Sequence, residues 1–369
     1  MSVAELLEDK RIVVCAGPGG VGKTTTAAAV ALGMAERGLR VAVLTIDPAR
    51  RLANSLGLAE LGNEASRVPV DIDGDGELWA LMLDAKRTWD EVIERHAADE
   101  KTRDAVLGNR IYQQLSNAVA GSTEYMAMEK LYELHQQDRF DLLVLDTPPT
   151  RNALDFLDAP QRLSRFIDSR SLQFFLRPGR LGVKVLGRGG GVLFSVLKRV
   201  TGVDLLRDLS EFFNSFGDMA EGIQERAQRV AELLGDERTS FLVVTSPRRD
   251  SVDEAIFFRR RLREGGMPFG ASVVNRVHDQ ALLVGEDEVE SGLAALLGDD
   301  RLATRVADNY EDFRALAEHD REEIERLRSE MDGEAIVLVP HLERDVHDID
   351  GLRAMNAHLF AEPAGDGAY

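Results

Sequence analysis

The stretch CAGPGGVGKTTT, residues 15–26, follows a short apolar run and precedes a segment of small helix-forming residues. Four glycines fall within residues 17–22, so the backbone there can adopt conformations closed to side-chain-bearing residues. Residues 17–24 satisfy the spacing G-x-x-x-x-G-K-[ST], which demands a strand ending at the loop and a helix starting inside it. No other feature narrows the possible folds so far. The chemistry of such a loop is phosphate capture. Its N–H groups converge on phosphate oxygens, and the N-terminus of the following helix adds positive potential. Lys23 would neutralise charge on a transferring phosphoryl group, and the Thr24 hydroxyl would ligate Mg²⁺. A plain glycine turn is the competing reading, and the strand before and helix after weigh against it.

Residues 11–16 (RIVVCA) read as a buried strand, and residues 24–37 as a helix ended by Gly38. Similar apolar runs recur at 39–46 (LRVAVLTI), 78–83, 140–145, 241–245, 272–275 and 335–339. Runs that are continuous rather than alternating predict parallel strands covered on both faces. The expected fold is therefore α/β, a doubly wound, mostly parallel sheet of the P-loop NTPase kind carrying a helical insertion subdomain. One phosphate-loop domain over 1–369 is expected, with its sheet drawn from about 11–83, 140–157 and 240–345. Helical insertions are expected at about 84–137 and 158–235, and a frayed tail at 361–369.

Lys plus Arg number 45 against 64 Asp plus Glu, a net charge of −19. Such a surface repels nucleic acid, whose binding rests on phosphate neutralisation, so no nucleic-acid partner is expected. Any anion must be captured by a dedicated site. The N-terminus, MSVAELLEDKR, carries acids where a signal peptide would be basic, and no apolar run approaches the roughly 20 residues of a membrane span. A single cysteine, Cys15, permits no internal disulfide, which makes a cytoplasmic location the default expectation.

A phosphate loop needs a second acid near the metal. Asp146 ends the run at 140–145, where a carboxylate at the C-terminal end of a parallel strand faces the loop; a helix cap or turn aspartate is the alternative. Asp47 ends the second strand in TIDPARR. There a cap followed by Pro48 at the first helical position competes with a role in orienting water against a γ-phosphate. Both can hold at once.

In order, GPGGVGKTT (17–25), IDPAR (46–50), LDTPPT (145–150) and VVNR (273–276) together resemble the ArsA-type ATPases. That family includes anion-pump ATPase subunits and factors that target tail-anchored membrane proteins. The resemblance spans roughly residues 11–340. It implies that ATP is held by Gly17, Pro18, Gly19, Gly20, Val21, Gly22, Lys23, Thr24 and Thr25, with Mg²⁺ reached by Thr24 and Asp146 through nucleotide and water. Asp47 matches the aspartate that activates water, which with Lys23 makes the implied catalytic pair. Residues 146–150, including Asp146 and Pro148, match the second switch. Asn275 matches the adenine-reading asparagine, with Arg276 beside it, and Pro340 the segment that closes over the base. Read without the family, Asn275 is a strand-end turn residue.

The chain departs from that pattern in three places. Members typically carry a signature lysine where this chain has Pro18, and that lysine acts on the nucleotide of a dimer partner. Arg151, Asn152 and Ala153 stand where the second switch commonly continues Gly-His-Thr. Metalloid pumping needs several thiolates, as does zinc bridging between subunits, and Cys15 is the only thiol. His341 and His347 lie in the one histidine cluster, whose spacing fits no known zinc pattern and reads as solvated.

The segment 160–200 holds nine basic residues against Asp168 as its one acid, interleaved with SLQFFL, GVLFSVL and GRGGG. A helical subdomain with a solvated basic face is one reading. The other is a surface, over about 160–220, for a hydrophobic protein client or a peripheral membrane partner. The expected function is a MgATP-driven conformational or dimer switch acting on such a client. The alternative is a weakly hydrolysing or non-hydrolysing ATP-binding subunit that pairs with a paralogous ATPase.

Overall fold

The computed structural model describes residues 2–47, 49, 51–110, 112–113, 122–148, 158–167, 203–278 and 296–361. The expectations for Pro48, Pro149, Thr150, Arg151, Asn152 and Ala153 fall outside the described residues, as do most of the basic segment and the tail from 362. The chain divides into two compact units, one of Met1–Met82, Gln137–Ala153 and Gly235–Tyr369, the other of Leu83–Gln136 and Leu154–Leu234.

The first unit contains one eight-stranded sheet in the order β3-β4-β2-β5-β1-β6-β7-β8. Its strands are β1 Ile12–Ala16, β2 Arg40–Thr45, β3 Ser66–Arg67, β4 Glu77–Met82, β5 Leu142–Asp146, β6 Thr239–Thr245, β7 Phe269–Val277 and β8 Ala335–Pro340. All pairs are parallel except β3 with β4. The expected α/β class holds, and the reason is visible in burial. Every residue of β1, β5 and β6 is buried, so none of these strands has a solvent face to be polar on. The short antiparallel β3 was not expected, because two exposed residues carry no periodic signal.

Helix α1 (Val3–Leu7) is closed by a capping box, with Ser2 and Glu5 each bonding the other's backbone N–H. Helix α2 (Lys23–Ala35) is built of alanine, glycine and short apolar residues and is buried on nearly all sides. It packs in the main core with β1, β2 and β5. After β1 the chain winds outward through β2 and β4 and returns to β5, then moves to the opposite side for β6 to β8. The crevice at the carboxyl ends of strands lying either side of such a reversal is where open α/β sheets bind ligands.

The second unit is helical. Helices Ala85–His96, Glu100–Leu107, Ser122–Gln136, Ala159–Ile167 and Val203–Gly235 supply its elements. Val92, Ile93, Val106, Tyr112, Met219 and Ile223 form its apolar core. Beside that core, buried Glu129 accepts from Arg95 at 3.1 Å and Arg226 at 2.7 Å, so its desolvated charge is compensated. Among the described residues no helix is long and apolar enough to cross a membrane.

Candidate functional site

Parallel register brings three strand ends together. Cys15 on β1 and Thr45 on β2 both lie opposite Asp146 on β5. The glycine loop leaves β1 directly beside them. Gly17 (φ 144°) lies so close to β6 that a Cβ would run into the Val244 carbonyl oxygen. Gly22 (φ 97°) is the N-cap of α2, and a Cβ there would strike the Asn275 side-chain amide. No side chain caps α2, so its first N–H groups remain available to a ligand in the loop.

Lys23 is only 6% exposed and its Nζ donates to the Pro18 carbonyl at 2.7 Å. Burial pulls the ammonium below its ordinary pKa, against the opposing charges of Asp146 and Asp47. Asp146 is fully buried. Its Oδ2 accepts from the Thr24 and Thr45 hydroxyls, each at 2.8 Å, while its Oδ1 is buried with no hydrogen-bond partner. Desolvation pushes the carboxyl up to about 6, although both hydroxyls and Lys23 act to lower it. A buried carboxylate oxygen with an unused lone pair beside a threonine hydroxyl suits a hard divalent cation, which would restore the ionised form.

Asp47 lies just past β2. Its N–H donates to Thr45 Oγ1 at 3.1 Å, its Oδ1 accepts from Ala49 N–H at 2.9 Å, and its Oδ2 is 3.8 Å from Arg51 Nε. Helix α3 covers Arg51–Ser55, beyond the bond to Ala49. The aspartate therefore fixes a turn ahead of the helix. A cavity of about 240 Å³ adjoins it, lined in part by Thr45, Leu52, Glu60 and Met82. Past Asp146, Thr147 donates from its hydroxyl to Cys15 O at 2.8 Å, and Pro148 follows. The Cys15 thiol is enclosed in the strand, and burial together with the Asp146 charge pushes its pKa far up, so it is no ready nucleophile or metal ligand.

On the far side of the loop, Asn275 is buried and its Nδ2 donates to Val21 O at 2.8 Å. Gly22, Thr25, Asn275, Arg276 and Pro340 all line one cleft of about 290 Å³. Pro340 is the last residue of β8, not the residue after it. His341, expected to be solvated, forms part of the cleft wall and stacks on His278 with ring centroids 5.9 Å apart. His347 is exposed and bonds its neighbour Asp345 O. The sequence reading missed Thr45 as a holder of Asp146. Its signal was a lone hydroxyl at the end of an otherwise apolar strand.

A sequence profile described as anion-transporting ATPase matches residues 10–317. The chain is 30% identical over 166 residues to the ATPase GET3 of Malassezia globosa, covering 44% of this chain and 47% of that protein. It is 30% identical over 183 residues to the ATPase get3 of Aspergillus terreus, covering 49% and 52% respectively. It is 33% identical over 185 residues to a Halobacterium salinarum protein named "Putative arsenical pump-driving ATPase", covering 46% and 27%. The matched region spans about half the length of these relatives or less.

Proposed function

The chain belongs to the anion-transporting ATPase family, and from that premise we propose that it binds and hydrolyses MgATP to drive a conformational switch. The observation that carries this reading is the convergence of Lys23, Thr24 and a half-satisfied Asp146 on one glycine loop. Loop N–H groups and the uncapped start of α2 would hold the phosphates. Lys23 would exchange the Pro18 carbonyl for phosphate oxygens, keeping its charge compensated in a buried place. Thr24 and Asp146 would hold Mg²⁺, directly and through water; the ion when bound neutralises charge between the β- and γ-phosphates. Asp47, fixed by Thr45 and Ala49, would orient water, and Asp146 to Pro148 would register the γ-phosphate through Thr147 and its bond to Cys15. Asn275 and Pro340 would bound the adenine side.

The output in this reading is a change of dimer and of the helical unit, acting on an apolar protein client or a membrane-associated one. Pro18 supports a second reading, in which the chain is a slow ATP-binding subunit paired with a paralogous ATPase. Proline has neither charge nor N–H to offer, and the nearby Arg51 lies 3.8 Å from Asp47. A missing cationic contact at a transferring phosphoryl group costs roughly 10²-fold or more in rate. Hydrolysis by the isolated chain is therefore expected to be slow, and Pro18→Lys to raise it by about tenfold or more. Steady-state phosphate release by both proteins, each purified alone, tests this. Fast turnover by the parent as a homodimer sinks the second reading, and no measurable MgATP binding sinks the first.

Cys15→Ser is expected to keep its hydrolysis rate within about twofold, and arsenite to stimulate neither protein, because one enclosed thiol cannot build a three-coordinate soft site. Arsenite stimulation lost on this substitution contradicts the reading.

A further inference from the structure

Three non-glycine residues among those described have positive φ: Asp138, Arg276 and Asp332. Aspartate visits this region through local hydrogen bonding, and both aspartates occupy turns. Arg276 (φ 66°) is different, since it sits inside a strand. The pairing of β7 with β8 shifts register between Asn275 and Val277, so Arg276 is the extra residue of a bulge. Bulges and left-handed non-glycine residues turn side chains to places a regular ladder would not, and they gather at functional sites. The side chain released here is exposed and lines the cleft shared with Gly22 and Thr25.

Asn275 and Arg276 grip consecutive loop carbonyls. The first donates to Val21 O at 2.8 Å, and the second reaches Gly20 O from Nη1 at 3.5 Å, the outer limit of a hydrogen bond. A guanidinium has five donors, and this long contact is the only side-chain hydrogen bond of Arg276 among the described residues. Arg344 also lines the cleft, but from the segment after β8. Lys23 is buried beneath the loop, and Arg51 stands beside Asp47. Among the described residues Arg276 is thus the exposed cation hydrogen-bonded to the loop itself, in a chain of net charge −19.

We propose that Arg276 is a nucleotide-binding residue whose guanidinium leaves Gly20 O for the phosphate chain, supplying in cis a contact that holds bound MgATP and is separate from the rate-raising contact that Pro18 cannot make. The inference rests on the MgATP reading above. It assigns the strained bulge a purpose: a regular strand would carry this side chain away from the loop.

Arg276→Lys and Arg276→Gln share the same backbone strain and differ in charge, so their comparison isolates the charge. By equilibrium titration with MgATP, the Lys variant is expected to bind within about threefold of the parent. The Gln variant is expected to bind roughly tenfold or more weakly, with a shallower dependence of affinity on salt. Arg276→Gly is expected to lose the same affinity while melting no lower than the parent, because glycine adopts positive φ freely. Equal affinities for the Lys and Gln variants, or a lower melting temperature for the Gly variant, overturn the proposal. Lys23→Ala serves as the separate check. If it binds MgATP as the parent does, the ATP reading itself fails. If it loses binding while the Gln variant does not, only the role of Arg276 is lost.

Discussion

Lys23→Ala is expected to remove MgATP hydrolysis by a factor of roughly 10³ or more while leaving the chain folded. The side chain is 6% exposed, and its hydrogen-bond partner is the Pro18 carbonyl of its own loop. Truncation therefore breaks no hydrogen bond between distant elements. Alanine is a strong helix former at the first position of α2, and removal of a desolvated ammonium also removes a burial cost. What is lost is the positive charge that would meet the phosphate oxygens. The Asp146 carboxyl, already raised to about 6, loses one of the influences that lower it and should rise further. Phosphate release and a thermal melt read the two halves of this prediction. Hydrolysis at the parent rate would falsify the phosphate-loop assignment.

Asp47→Asn is expected to bind MgATP nearly as the parent does and to lose about 10²-fold or more in turnover. An amide oxygen can still accept from Ala49 N–H, and the backbone bond to Thr45 is untouched. The turn therefore keeps its shape. The negative charge that would polarise water disappears, together with the partner 3.8 Å from Arg51. Binding titration beside single-turnover hydrolysis separates the two roles. Unchanged turnover would mean that the aspartate only fixes the turn.

Much of this architecture could be read from the chain because the inner strands are covered on both faces. Residues 12–16, 142–145 and 241–244 are apolar throughout and contain no turn residues, so a continuous run was enough to find each strand, although β6 begins two residues before the run expected at 241–245. The loop was equally plain, since its glycines, lysine and threonine are adjacent in sequence. Features that depend on distant partners were not legible. Thr45 and Asp146 are separated by 101 positions, and only the register of β2 with β5 makes them neighbours. The bulge at Arg276 exists because β8 meets β7 out of step, and nothing in VVNR announces it. The box that closes α1 was available in Ser2 and Glu5, though nothing longer followed to mark it as a helix.

The order in which the strands are made differs from the order in which they pair. β1, which ends at the loop, borders β5 through Ile12 and Leu143 and β6 through Ile12 and Thr239. During synthesis at about 5–20 residues per second, roughly ten to forty seconds separate translation of β1 from translation of its second neighbour. For that interval one edge of an apolar strand has no native partner, a condition that invites pairing with other chains. The nascent chain thus carries that unpaired edge for longer than a protein whose central strand is made last. Slow codons placed before β6 would lengthen the exposure, and a circular permutant that starts at β6 would shorten it.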